Sequence, residues 1–385
     1  MSRTSRFLLI ILAEACASTV LASAQAASSQ TEASIPATSS PVAYIYVDSI
    51  VASNKTQIDA YSAASNGRLT KIAGSPFPTT SSYMALNGKW LFATNGIDIY
   101  SYSIASNGAL KRVDSYTAGS TGGGPVRLFL DHTGASLYDG YANLMGTGNN
   151  GYQAYSINQT TGKITFVNQV VGGPEYGNSL SFISNNEYSY SSSCYHFTPS
   201  IYGMKRESNG AIIALNINPA MPTAPAGEEY CPFLAAADTT GHVAVAVQPM
   251  QVFAVAGPYQ IATYTANSSG NLTTASTYSN MPKTGVGNVN DIWMAPSGKL
   301  LAVAGTTGLQ VFHFNGANPA THYTGLLTTS QVDQVFWDNA NHLYAIGQKA
   351  GKLWVFTVTA TSVSQAPGSP YSIAQPIDLI VLPKS

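Results

Sequence analysis

The chain has 385 residues, 45% of them apolar, enough to build a substantial core. Only 9% are charged, against about 25% in an average soluble protein, and Ser, Thr, Asn, Gly and Tyr fill the polar positions, a mixture that favours strands and turns over helices. The formal net charge is −1 and no cluster of Lys and Arg stands out, which excludes nucleic acid as an expected partner.

In chain order, Arg3 and Arg6 precede the apolar residues 7–13, and small residues follow as far as Ala24 and Ala26. That order is an export signal, read here as residues 1–26, with cleavage after Ala24 or Ala26 and a secreted or periplasmic destination. Cys16 invites a lipoprotein reading, which Ala13-Glu14-Ala15 before it suits poorly. Residues 27–41 read as a polar linker and residues 42–385 as a single folded domain. No later stretch reaches the ~18 apolar residues that a membrane-crossing helix needs. Cleavage leaves Cys194 and Cys231, which are either a disulfide or two separate buried thiols. No CxxC or Cys/His spacing points to a metal, and no cofactor is expected.

From residue 42 onward the sequence repeats itself. A first turn recurs as SNGRL at 65–69, SNGAL at 106–110, TTGKI at 160–164, SNGAI around Asn209-Gly210, and SSGNL at 268–272. Each follows a run in which polar and apolar residues alternate, with Tyr61, Tyr102, Tyr155 and Tyr264 at one equivalent position and Phe312 and Phe356 in later copies. Period-two alternation marks a strand with one buried face. A second turn is centred on Gly88, Gly134, Asn186, Gly241, Gly298 and Asn341, a spacing of 43 to 57 residues. Four short strands at that period are the mark of a β-propeller.

The first unit lacks the strand that should precede AYIYV, whereas the chain ends on a supernumerary PIDLIVLPKS that matches the first strand of a unit. The count is seven. The expected fold is therefore all-β: a seven-bladed β-propeller of four-stranded antiparallel blades, its ring closed by the C-terminal strand completing the first blade. The segments GSPF at 74–77 and GSPY at 368–371 then belong to the outer strands of the first and last blades, which are neighbours in the ring.

The units GRLTKIAGSPF, YSIASNGALKRV and LFATNG resemble those of the lactonase-like seven-bladed propellers, the family of propeller-type 6-phosphogluconolactonases, muconate-cyclising enzymes and YVTN-repeat proteins. The resemblance covers residues 42–385 and implies a lactone hydrolase with a site at the mouth of the central channel. Members of that family open an inner strand with Gly-Pro-Arg-His; here Val126 and Arg127 follow Pro125.

Antiparallel strands place alternate connections on opposite faces. The long ones, 141–151, 191–200, 219–232, 248–258 and 280–290, share one face, the usual place for function on a rigid scaffold. The residues seven positions before each anchor turn enter on that face: Ser81, Arg127, Ser179, Leu234, Asp291, Gln334 and Asp378, with Asp333 adjacent. Arg127, Asp291, Asp333 and Asp378 are candidates to hold a polar ligand at the channel mouth or to do acid–base work; the alternative is a hydrated channel lined by satisfied polar groups. Glu175, His196 and Glu228 are candidates on the loops. His132, His242 and His342 read as turn residues, and His313 as structural. No GxSxG, zinc, EF-hand or phosphate-loop motif occurs. Two functions follow: a secreted, monomeric binding module for a small molecule, glycan or protein, or a lactone hydrolase.

Overall fold

The computed structural model describes residues 40–384, apart from 54, 119–122, 144–149, 172–178, 184, 196, 252–253 and 256. The described residues form 31 strands and no helix. Seven antiparallel sheets arise from the repeat, with innermost strands Pro376–Pro383, Tyr83–Leu86, Gly123–Leu130, Ser181–Phe182, Glu229–Ala237, Val289–Met294 and Gln334–Trp337 in blades one to seven.

Blade one is made from both ends of this sequence. Pro376–Pro383 pairs with Ala43–Ala52, with Ala43 opposite Pro383 and Val47 opposite Leu379. Leu379 and Val381 face the core shared with blade seven, and Ile380 and Leu382 the core shared with blade two. Burying such side chains contributes about 1.5–3 kcal/mol each, so the seam is an apolar junction as well as a hydrogen-bonded one.

Among the described residues the core is not one mass but seven clusters, one between each pair of neighbouring blades. Polar stitches fix the register between blades. Tyr46 Oη donates to the carbonyl of Gly108 at 2.8 Å, Tyr138 Oη to Gly210 at 2.9 Å, and Tyr190 Oη to Gly270 at 2.8 Å. In each case a second-strand tyrosine reaches the SNG-type turn of the next blade. The turn must be glycine for two reasons. Gly108 has φ +84°, and a Cβ there would sit 2.8 Å from the Tyr44 ring and 2.6 Å from Ile72. The second-strand tyrosine of one blade, Tyr46, Tyr138 or Tyr190, and the turn glycine of the next are therefore two halves of one contact.

The two Gly-Ser-Pro-aromatic segments play the same part in adjacent blades. Ser75 Oγ accepts the Ala60 amide at 2.8 Å in blade one, and Ser369 Oγ accepts the Val355 amide at 2.9 Å in blade seven. Each aromatic residue begins a short extra strand, Phe77–Thr79 or Tyr371–Ser372, that pairs back on the third strand. This refines the sequence expectation: the outer strands proper are Leu69–Lys71 and Val363–Gln365, and the Ser-Pro turn folds a further piece onto the same neighbour. The blades meet where Tyr371 Oη accepts the Leu69 amide at 2.8 Å.

Candidate functional site at the central channel

An innermost strand is also a sheet edge, and its outward N–H groups need acceptors. In this half of the ring the repeat position supplies them. Asp291 Oδ2 accepts the Val335 amide at 3.0 Å, Gln334 Oε1 the Leu379 amide at 2.7 Å, and Asp378 Oδ2 the Met84 amide at 2.5 Å. Each side chain thus caps the inner edge of the blade that follows it, lacing blades six, seven, one and two around the channel.

Blades two to five break the pattern, because Ser81, Arg127, Ser179 and Leu234 occupy the position. Arg127 Nη2 instead lies 3.4 Å from Asp291 Oδ1, joining blade three to blade six. The pair acts as a crossbar. On one side a cavity of about 170 Å³ is walled by the inner strands of blades one, two and seven, including Tyr83, Phe336 and Asp378. On the other a cavity of about 310 Å³ is walled by blades four and five, including Ser179, Leu180 and Leu234. Arg127, Asp291, Phe129, Leu130, Leu180 and Trp293 belong to both. The walls are mostly aliphatic and aromatic; the Trp293 and Phe336 rings lie 4.5 Å apart at an interplanar angle of 32°.

The charges here are unequal. The Arg127 side chain is 25% exposed and Asp291 only 6%. Burial raises the Asp291 carboxyl above its ordinary value, opposed by the Arg127 charge and by the backbone donors. Burial pushes Asp378 up to about 6, opposed by Gln334 and Arg127. Both oxygens of Asp291 are engaged and Asp378 is committed to Met84, so neither is placed as an idle general base. Among the described residues no group of three His, Cys, Asp or Glu side chains is placed to hold a metal ion.

The other candidates lie apart from the crossbar. Asp333 accepts from Gln331 Nε2 at 2.7 Å and from the Gln348 amide at 2.6 Å, fixing a loop of blade seven. Glu228 accepts from Gln251 Nε2 at 3.3 Å at the edge of a separate groove walled by Pro225, Tyr230, Tyr278 and Lys283. Glu175 and His196 fall outside the described residues. Cys194 and Cys231 are joined, with Cα atoms 5.3 Å apart, tying the second strand of blade four to the inner strand of blade five. His242 and His342 serve their turns, each Nδ1 lying 2.8–2.9 Å from the aspartate four residues earlier.

Two buried acids are absent from the sequence expectations. Asp48 accepts Ser81 Oγ at 2.5 Å, and burial, aided by the charge of Asp378, pushes it up to about 8. Asp139 accepts Tyr155 Oη at 2.7 Å, and burial pushes it up to about 7. Both sit on second strands, and the available signal was a lone carboxylate inside an otherwise apolar or aromatic run.

No family model matches the chain, and no curated protein matches it by sequence. Solved structures do. A protein from Bacteroides fragilis, provisionally described as a 6-phosphogluconolactonase, aligns at 13% identity with a TM-score of 0.66, covering 90% of this chain and 99% of that one. A similarly described protein from Bacteroides uniformis aligns at 13% identity and TM-score 0.61, covering 89% and 100%. Sqt1 from Chaetomium thermophilum, solved with the N-terminus of ribosomal protein L10 bound, aligns at 12% identity and TM-score 0.52, covering 86% and 85%. At such identities the likeness is one of fold: the chain is a seven-bladed β-propeller with the architecture of the lactonase-like structures.

Proposed function

We propose that this chain is an exported binding propeller whose long-loop face takes a small ligand, bearing an acidic group on an apolar body, into the channel mouth. The observation that carries the reading is the crossbar. Arg127 is the partly exposed member of an otherwise buried ion pair, flanked by the Trp293–Phe336 wall. A guanidinium presents paired donors that suit a carboxylate or phosphate, and an incoming acid competes with Asp291 for them. The export signal in residues 1–26 and the Cys194–Cys231 bridge support an oxidising destination.

The test is a thermal-shift screen of sugar acids, aryl carboxylates, their lactones and neutral analogues, since a ligand of the native state raises its melting temperature. Titration follows. Arg127→Met is expected to weaken binding of an acidic hit at least ~10-fold, about 1.4 kcal/mol, and to lower the melting temperature as well, because Asp291 is left buried without its cation; the titration is therefore read on the folded variant. Equal dissociation constants in wild type and variant would move the site away from the channel. A lactone hydrolase is the second reading, favoured by the fold shared with the two Bacteroides structures; it requires turnover of a lactone hit, and binding without turnover removes it.

A further inference from the structure

The strand that closes the ring brings two acids face to face. Asp378, on Pro376–Pro383, is the register partner of Asp48, on Ala43–Ala52. Directly opposed residues of antiparallel strands carry their Cβ atoms about 4.5–5.5 Å apart on one face of the sheet. Asp48 is completely buried and Asp378 is 5% exposed.

Neutral donors hold the pair: Ser81 Oγ on Asp48 Oδ2, and the Met84 amide on Asp378 Oδ2. Both bonds run to blade two, so the same two carboxylates that meet across the seam also fasten it to its neighbour. Asp48 Oδ1 is buried with no hydrogen-bond partner. A bare anionic oxygen beside a second anion is a costly arrangement in a dry setting. One proton removes the repulsion and turns an acceptor into a donor.

Among the described residues none brings an opposing charge to Asp48, whose other neutral donors are the Ser49 amide and the Thr56 hydroxyl. Blade two contributes the Tyr102 hydroxyl, bonded to Thr79, and Ser81. Within blade one, Asp59 is paired with Lys71 and takes its hydrogen bonds from Ser49 and Gln57. Arg127 of blade three acts on Asp378 but keeps Nη2 on Asp291. Gln334 of blade seven is uncharged.

We propose that Asp48 and Asp378 share one proton across the seam, and that its removal loosens Pro376–Pro383, making closure of the propeller a proton-dependent contact. This holds whatever the channel binds. The raised affinity of both acids, to about 8 for Asp48 and about 6 for Asp378, sets the direction. The folded ring keeps a proton that the unfolded chain gives up near 3.8, so the stabilisation is complete in acid and is lost as pH climbs through the folded values. The two titrate as a pair rather than as separate sites.

Amide hydrogen exchange of Leu379 to Leu382 in the full chain, from pH 5 to 9 and corrected for intrinsic rates, reads the seam directly. The corrected opening constant is expected to rise with pH in the wild type, by up to about tenfold per unit, the limit for one proton. Above about pH 6 the rise should disappear in Asp48→Asn, where Asp378 alone is left to titrate, while amides of blade four behave alike in both proteins. Should Asp48→Asn fail to fold, Asp378→Asn is expected to shrink the rise without abolishing it, since burial alone still raises Asp48, and the wild-type profile decides by itself. A flat profile for these four amides, or parallel profiles in wild type and folded variant, overturns the proposal.

Discussion

Arg206, 13% exposed, places Nη2 2.6 Å from Asp131 Oδ2, whose side chain is fully buried. The pair joins blade four to the anchor turn of blade three. Asp131 also takes hydrogen bonds from Thr133, Asn186 and the Ser136 amide. Removing a cation from a buried pair costs about 3–5 kcal/mol because the remaining charge is stranded. The neutral donors left to Asp131 place Arg206→Met near the lower end, about 3 kcal/mol in a chemical denaturation curve; a loss under about 1 kcal/mol would show that they suffice. At this scale the sequence was informative about position and silent about partner. Counting seven residues back from each anchor turn found Arg127, Asp291, Gln334 and Asp378, all of which do line the channel. That three of them serve as acceptors for the next blade's amides was not legible, because two of those amides lie 44 and 45 residues away in sequence and the third 294. Asp333 shares their neighbourhood in sequence but lies just before the strand Gln334–Trp337 and accepts the Gln348 amide of its own blade instead of the next blade's.

Two elements join parts of the ring that the chain itself does not join locally. The first is Pro376–Pro383. Its removal uncovers the edge of Ala43–Ala52 and empties part of two inter-blade clusters, so a chain ending at residue 375 is expected to aggregate or to lose most of its cooperative unfolding transition. A monomeric truncation that melts at the wild-type temperature would contradict the role of the seam. The strand was legible because a repeat makes an absence visible: the first unit was one strand short and the last one strand long. The second element is the bridge between Cys194 and Cys231, which spans 37 residues. For a loop of that size the chain-entropy treatment gives about 3–4 kcal/mol. A Cys194→Ser, Cys231→Ser double variant should lose that much in urea unfolding while keeping the same far-ultraviolet spectrum. Sequence alone left the pairing open, since two thiols and their spacing say nothing of the distance between blade four and blade five.

For the molecule as a whole, the small number of charges is matched by an unusual share of acids placed where water is not. Asp48, Asp139 and Asp378 are pushed up to about 8, 7 and 6, each chiefly by burial. Below their ordinary value of 3.8 folded and unfolded chains hold these protons alike. Above it the unfolded chain releases them first, so unfolding gains on folding as pH rises, by up to about 1.4 kcal/mol per unit for each proton held. The melting temperature is therefore expected to peak in mildly acidic solution and to fall towards pH 8; scans at half-unit steps that peak at pH 8 would contradict these placements. The architecture itself was open to reading, because every blade repeats the same alternation and the same two turns, while the interior electrostatics was not, because it arises only between blades. The seam also sets a clock. Some 330 residues separate the two strands that meet there, and at about 5–20 residues per second a ribosome needs roughly 15–70 s to travel between them. Throughout that interval Ala43–Ala52 has no partner on its inner side and the toroid stays an open arc. Such a ring cannot lock into its final shape until its closing strand has left the ribosome, so the blades must fold first and close last.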